Sequence, residues 1–568
     1  MIARLAPVAT VLRIAAGLLT IIGAYLPWAT FVLNDGPYPE KSTLNYFVDP
    51  LGVTGFRFHL LVLGLAIIVV TVLKVAPTGR IVRGIGWGVI AVAVVNGAYI
   101  LVKGGGFGAI TVSDGVAAFG AVVALIGGIA AVVGGNAGGL GERPTLTWRL
   151  PFWAEWLLLL VVFVIVLFLV AGVLTSGGQG GVVNPYAGAT FLSVLAALGG
   201  AFAGLNASGL LTWVAAVSER HRGFSVIVLL LVALVLPLTS AGTEYWMTVA
   251  ANIGVYAATA IGLNIVVGLA GLLDLGYVAF MGIGAFTAAN LSGAAASEFG
   301  IHVPFPLVMV ICALVAGLFG AIVGSPTLRV RGDYLAIVTL AFGEIFTRTA
   351  QNNIGGLTGG ANAIPNIPQV SLFGTAFNES IQIGAIKLPA GVLYYVMIVL
   401  LVAAVMLVFA NLKNSRLGRA WIAIREDEDA ARAMGIRTGP IKILAFLTGA
   451  MLAGLAGAFF AHKTSVVAYD SFRFTESVTL LAAVILGGMG TIPGAVLGAS
   501  ILFVLPEKLR EFADYRLLLF GIGLIVLMRL RPQGLIADRH RQAELAGDPE
   551  PPPVIEEEEP EMKAGVSA

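Results

Sequence analysis

The sequence predicts an all-α polytopic membrane protein, and three observations carry that expectation. The 568-residue chain is 58% hydrophobic and only 11% charged, whereas about a quarter of the residues in an ordinary soluble domain are charged. Apolar runs of helical length recur almost from one end to the other, and mean hydropathy is +0.95. The 73 glycines suit close approach of helix backbones in lipid, where small residues compensate for the missing hydrophobic drive. Together these features predict about fourteen transmembrane helices and one re-entrant helical hairpin.

The elements follow from length, because a helix rising 1.5 Å per residue needs roughly 20 residues to cross about 30 Å of hydrocarbon. Six apolar runs precede the middle of the chain, at 8–33, 60–75, 81–102, 116–133, 154–174 and 191–217. Eight follow, at 224–238, 247–267, 275–291, 306–323, 334–350, 392–410, 443–461 and 517–528. The first lacks a short apolar core followed by a small-residue cleavage site and is expected to stay as an anchor. Residues 478–505 are interrupted by Gly487, Gly488, Gly490 and Pro493, which leaves each half too short for a full crossing. After Ala537 the chain turns polar, with Pro551 to Pro553 and the acidic run Glu556 to Glu559, a composition that predicts a disordered tail over 537–568.

Charge distribution orients the spans. Arg4 and Arg13, then Lys74, Arg80 and Arg83, then Arg143 and Arg149, then Arg220, His221 and Arg222, then Arg329 and Arg331 recur in alternate loops. The positive-inside rule places that face in the cytoplasm. The intervening loops carry acid or no charge, as at Asp35, Glu40 and Asp49. Parity then requires 478–505 to begin and end outside, since Arg529 and Arg531 belong inside. Two half-helices meeting at the glycine-rich break satisfy this, and broken helices mark transport pathways in many carriers. A single tilted helix with a glycine kink is the alternative.

One stretch stands apart. Residues 411–442 hold eleven charges, Lys413, Arg416, Arg419, Arg425, Glu426, Asp427, Glu428, Asp429, Arg432, Arg437 and Lys442, between two long apolar segments. Parity places this island on the cytoplasmic face, where a soluble partner can reach it. Leu417, Trp421, Ile424, Ala431 and Met434 fall at helical spacing and would form an apolar face for such a partner, flanked by Arg419, Arg425 and Asp429.

Few polar groups lie at membrane depth. Asp274 sits at the junction of two glycine-rich apolar segments, in a position to cap the following helix or to face a polar cavity. Glu344 and Arg348 are four residues apart, on one helical face, where they can pair and either line a path or lock helices together. The translocation path is expected along helices carrying Asn264, Asp274 and Glu344 and at the Gly487, Gly488 and Gly490 break. Motifs of soluble catalysis are missing: the sequence has no phosphate loop of the G-x-x-x-x-G-K-[ST] type, no G-x-S-x-G elbow and no C-x-x-C. The five histidines are scattered, and the single cysteine, Cys312, excludes an internal disulfide. No enzyme activity, metal or cofactor is expected, and uphill transport would draw on an ion gradient or another subunit.

Within the island, Asp429-Ala430-Ala431-Arg432-Ala433-Met434-Gly435 resembles the Glu-Ala-Ala-x-x-x-Gly loop by which ABC importer permeases dock on their ATPases, with Asp in the Glu position. The segments GLNIVVGLAGLLDLGYVAFMGIGAF, LRVRGDYLAIVTLAFGEIF, NSRLGRAWIAIREDEDAARAMGI, VILGGMGT and RLRPQGL extend the likeness. From about 240 to 536 the chain is similar to LivM-type permeases of high-affinity branched-chain amino acid ABC transporters. The resemblance implies a permease core over 221–536 with a coupling loop at 411–442, and ATPase contacts at Arg419, Arg425, Asp429, Ala430, Ala431 and Gly435. It implies two ABC ATPase subunits, a second LivH-like permease and an extracytoplasmic substrate-binding protein as partners, in a bacterial cytoplasmic membrane with both termini inside. A permease for urea or short amides in the same ABC family is the alternative, and an ion-coupled secondary transporter a more distant one. The N-terminal extension over 1–220, of about six helices, departs from the family pattern and receives no function from it.

Overall fold

The computed structural model of the chain describes residues 8–28, 55–103, 112–113, 116–117, 119–137, 139–142, 144, 146, 148–175, 187–294, 297–328, 333–372, 375–383, 386–508, 518, 521–522, 525, 529 and 534–536. Arg4, Asp35, Glu40, Asp49, Arg143, Arg329, Arg331, Arg531, most of the span 517–528 and the tail 537–568 lie outside them. The first half contains helices α1 (Ala9–Tyr25), α2 (Phe56–Val72), α3 (Thr78–Lys103), α4 (Gly120–Ala137), α5 (Phe152–Thr175), α6 (Ala187–Ala207), α7 (Leu210–Arg220) and α8 (Arg222–Val235). The second half contains α9 (Glu244–Asn264), α10 (Val278–Leu291), α11 (Phe305–Gly324), α12 (Asp333–Gln351), α13 (Val392–Asn414), α14 (Arg416–Glu426), α15 (Glu428–Ala433), α16 (Thr438–Thr464), α17 (Phe474–Gly487) and α18 (Ile492–Lys508). Among the described residues strands are confined to pairs of two or three residues, such as Ile364–Pro365 beside Val466–Val467.

Among the described residues eight helices are long and apolar enough to cross a membrane, or nine if the bent pair α7 and α8 makes one span. Helices α1, α2, α10 and α17 are apolar but run to only 14–17 residues. The chain is an all-α polytopic integral membrane protein. One sequence expectation needs correction. The run 191–217 is not one helix: α6 ends at Ala207, Gly209 takes φ +79°, and α7 starts afresh at Leu210. Such a backbone angle favours glycine and breaks the helical path. Helix α7 then meets α8 at a bend of 103°.

Helices α1 to α4 and α6 pack together around Trp28, Leu60, Ile67, Val82, Val89 and Val92. Glycine allows the closest of these approaches: a Cβ on Gly88 would stand 2.5 Å from the Gly200 Cα, so α3 and α6 touch backbone to backbone. Polar groups inside the bundle find partners, as where Arg13 Nε donates to the Gly134 carbonyl at 2.8 Å and Asn96 Nδ2 to Ser193 Oγ at 3.0 Å.

The second half is built around α16, which packs against α9, α10 and α11 and is buried along much of its length. The helix α5, although within the first 220 residues, also contributes here. Its Leu167, Ala171 and Leu174 join Leu236, Trp246, Met247, Val392 and Tyr395 in one apolar cluster. Lys508 Nζ, stacked 4.5 Å over the Trp246 ring, donates to the Leu174 carbonyl.

The interrupted region forms a hairpin. Helices α17 and α18 run antiparallel in tight contact, because a Cβ on Gly498 would collide with the Ala483 carbonyl and one on Gly487 with the Gly494 carbonyl. At 14 and 17 residues, the two arms are about 21 and 26 Å long at 1.5 Å per residue.

Candidate coupling segment and translocation elements

The charged island folds as two short helices between α13 and α16, and each has its own cap. Ser415 Oγ accepts from the N–H groups of Leu417 and Gly418 at 3.1 and 3.3 Å and so starts α14. Asp427 Oδ1 accepts from the N–H groups of Asp429 and Ala430 at 2.8 and 3.0 Å and starts α15. Capping side chains of this kind satisfy donors that the first helical turn leaves orphaned. At the far end Ile436 N–H donates to the Ala431 carbonyl and Gly435 N–H to the Arg432 carbonyl, both at 3.0 Å. That pair of bonds is a Schellman closure, which needs a left-handed residue after the helix; Gly435 supplies it with φ +87°.

The apolar stripe faces the opposite way from expectation. Trp421 is fully buried and its Nε1 donates to the Ile441 carbonyl at 2.8 Å; Ile424 and Ala431 are also buried. The stripe therefore anchors the segment to the permease body, since burying these residues inside this chain satisfies the same hydrophobic drive that a partner would. What remains outward is Met434, 85% exposed, with Asp429 and Arg432 exposed beside it and 3.7 Å apart. Ala430 and Arg419 sit on exposed positions of α15 and α14. A cleft of about 450 Å³ lies alongside, lined by Glu428, Arg432, Gly435, Arg437 and Thr438. Glu428 is held by Lys442 and by Arg432, the latter at 3.1 Å.

Arg425 also turns inward. Its Nη1 donates to the Gly268 carbonyl at 2.9 Å, and its Nε and Nη2 bond Glu426. Gly268 belongs to a π turn, Ile265–Leu269, that ends α9. Such a turn shifts the hydrogen-bond ladder by one residue and frees a carbonyl for an outside donor.

One turn before Gly268, Asn264 is fully buried and meets the hairpin break: its Oδ1 accepts from Gly490 N–H at 2.7 Å and its Nδ2 donates to the Thr491 carbonyl at 2.9 Å. Lys413 Nζ, from the last turn of α13, donates to the Gly490 carbonyl at 2.7 Å. Gly487 and Gly488 complete the break. The Leu486 and Gly487 carbonyls accept from Leu535 and Ile536 N–H, each at 2.9 Å, and Gly488 takes φ +123° against the backbone of Ile536. The turn of the hairpin thus lies at the end of the bundle that carries the charged island, with its arms leading away toward Phe474 and Lys508.

The two remaining sequence candidates lie elsewhere. Asp274 is fully buried, and its Oδ1 accepts from Gly276 N–H at 3.0 Å. It staples the turn ahead of α10 and does not cap that helix, whose Val278 N–H is taken by Ser477 Oγ at 3.1 Å. Thr339 Oγ1 accepts from Leu275 N–H at 3.0 Å in the same knot. Glu344 and Arg348 do pair, at 2.8 Å, on the exposed face of α12. They line an open cavity of about 400 Å³ with Thr347, Gln351, Tyr469, Arg473 and Thr475. Of the twelve candidates, Arg425, Asn264, Gly487, Gly488 and Gly490 come together; Asp274 and Glu344 stand apart. Met434 was expected on the partner-facing apolar stripe; Lys413, Asp427 and Thr491 were not singled out, although Lys413 and Asp427 belong to the run of charges that was.

The family model described as the branched-chain amino acid transport system permease component matches residues 245–528. The chain belongs to that family. High-affinity branched-chain amino acid transport system permease protein LivM of Salmonella typhimurium is 42% identical over 304 residues, covering 51% of this chain and 70% of the relative. Its Escherichia coli K12 counterpart is 41% identical with the same coverage. The LivH permease protein of Salmonella typhimurium is 26% identical over 298 residues, 50% of this chain and 91% of that one. No solved structure matches the chain. The family region takes in α14 and α15, the π turn and the hairpin, and leaves α1 to α8 outside it.

Proposed function

We propose that this permease is the membrane subunit of an importer for branched-chain amino acids, driven by separate ATPase subunits that dock on α14 and α15. The observation that carries this reading is the outward face of α15: Asp427 and Gly435 fix both ends of a six-residue helix that presents Met434, Asp429 and Arg432, in a chain with no phosphate loop. A short helix locked at both ends, and following an α14 rooted by buried Trp421, can transmit a push without bending. Two ATPases, a LivH-like permease and an extracytoplasmic binding protein complete the assembly, with the island in the cytoplasm of a bacterial inner membrane. The translocation path runs beside α9, α12 and the α17–α18 hairpin. The protein itself carries out no catalysis.

Reconstitution of the chain with those partners in proteoliposomes tests this. ATP inside should drive uptake of labelled leucine, isoleucine or valine, and omission of the ATPases should abolish it. Uptake of urea or a short amide alone would replace the substrate class. Uptake that persists without ATPases under an ion gradient would overturn the proposal.

A further inference from the structure

The permease reading explains where an ATPase would push but not where that push enters the membrane helices. Four contacts converge on one place. Asn264 Oδ1 accepts the Gly490 N–H, and Lys413 Nζ donates to the carbonyl of the same residue, so both polar atoms of one glycine backbone are held by side chains from two other helices. Asn264 Nδ2 adds the Thr491 carbonyl. Arg425, from the coupling segment itself, grips the Gly268 carbonyl one turn along from Asn264. Lys413 lies two residues before the Ser415 cap of α14. One charged donor thus precedes the first coupling helix and the other sits in its last turn, and their acceptors are backbone carbonyls of the two broken elements, the π turn and the hairpin.

A lysine in the last turn of a helix ordinarily serves its own terminal carbonyls. Here its ammonium reaches 77 residues along the sequence. Charge-assisted bonds are about twice as strong as neutral ones, and a carbonyl at a chain break has no ladder partner to return to when its donor leaves. We infer that Lys413 and Asn264 are positioning residues that clamp the hairpin turn at Gly490 to the coupling segment, making α13, α14, the π turn and the turn between α17 and α18 one rigid joint. Displacement of α14 by an ATPase then moves the hairpin arms beside the transport path. This rests on the permease reading above, and it assigns the load to two residues outside α14 and α15.

The test uses the reconstituted transporter with all subunits and compares Lys413→Met, Lys413→Arg and Asn264→Asp with the unaltered chain. Three quantities are read: copurification of the ATPases, ATP hydrolysis stimulated by the binding protein, and labelled leucine taken up per ATP hydrolysed. Lys413→Met should retain ATPase binding and hydrolysis while uptake per ATP falls about tenfold. Lys413→Arg, which keeps a donor, should restore most of it. Asn264→Asp keeps the acceptor for Gly490 but loses the donor to Thr491, and should fall between. An unchanged uptake per ATP in Lys413→Met overturns the joint, as does equal loss of assembly in Lys413→Met and Lys413→Arg, which marks a role in folding alone. Failure of the unaltered chain to show ATP-driven uptake overturns the permease reading instead.

Discussion

At the scale of single residues, Gly435 decides how α15, the helix proposed for coupling, ends. Among the described residues a Cβ there would meet no atom within 4 Å, so space is not the constraint; the positive φ is. An L side chain in the left-handed region costs roughly 1–2 kcal/mol, enough to fray a six-residue helix whose last turn depends on the two bonds closing at Gly435 and Ile436. Gly435→Val should therefore raise ATP hydrolysed per substrate moved by several-fold with normal membrane insertion. Gly435→Asn, which tolerates this backbone, should be nearly silent. Coupling in Gly435→Val equal to that of the unaltered chain would remove the capped α15 from the docking account. The identity of this glycine was legible in the sequence as part of the Asp429 to Gly435 motif, but its reason was not, since a backbone angle leaves no mark beyond the choice of glycine. Lys413 was harder still: its partner Gly490 is 77 positions away, and no spacing rule links a helix end to a distant break.

Elements were more legible than their faces. Apolar length located nearly every described helix, because burial in lipid demands it of each span separately. The step at Ser208 and Gly209 was missed because apolar residues continue on both sides of it. The stripe Leu417, Trp421, Ile424 correctly announced a buried face on α14; periodicity says that something covers such a face, not whether it is a partner or the same chain. The hairpin offers the sharpest test at this scale. Gly487 and Gly498 lie where the two arms meet backbone to backbone, with no room for a methyl group. Gly498→Ala should push α18 from α17 and cost about 1–3 kcal/mol as an overpacked contact, read as a lower unfolding midpoint in detergent. Gly172→Ala, at a position with no described atom within 4 Å, should leave that midpoint unchanged; equal shifts in both would show that the arms are not held by glycine contact.

On the scale of the whole molecule, composition and charge gave the class of protein, while the boundary between the extension and the permease proves to be one of sequence more than of packing. Helices α1 to α4 and α6 have their own core, yet α5 lies against Trp246, Met247 and Tyr395 of the second half. A chain beginning at residue 221 would strip that cover and take the Leu174 acceptor from Lys508. Its thermal midpoint should fall by several degrees relative to the full chain, whereas a chain beginning at residue 150, which keeps α5 to α8, should recover most of the difference when α1 to α4 are supplied as a separate polypeptide. Equal stability of the full chain and the chain from 221 would show that α5 adds nothing to the permease.

The short backbone pairing of Leu535 and Ile536 with the last carbonyls of α17 also imposes an order on biogenesis. Residues 534–536 leave the ribosome after both arms of the hairpin, so the turn at Gly488 stays open until they emerge and fold back onto it. The partners of Gly490, Asn264 and Lys413, are made before it, whereas the pairing at Leu486 and Gly487 is completed late in translation, and a chain cut off before Gly534 would lack the two bonds that Leu535 and Ile536 donate. The last step in closing this turn thus belongs to a tripeptide that lies outside both arms of the hairpin.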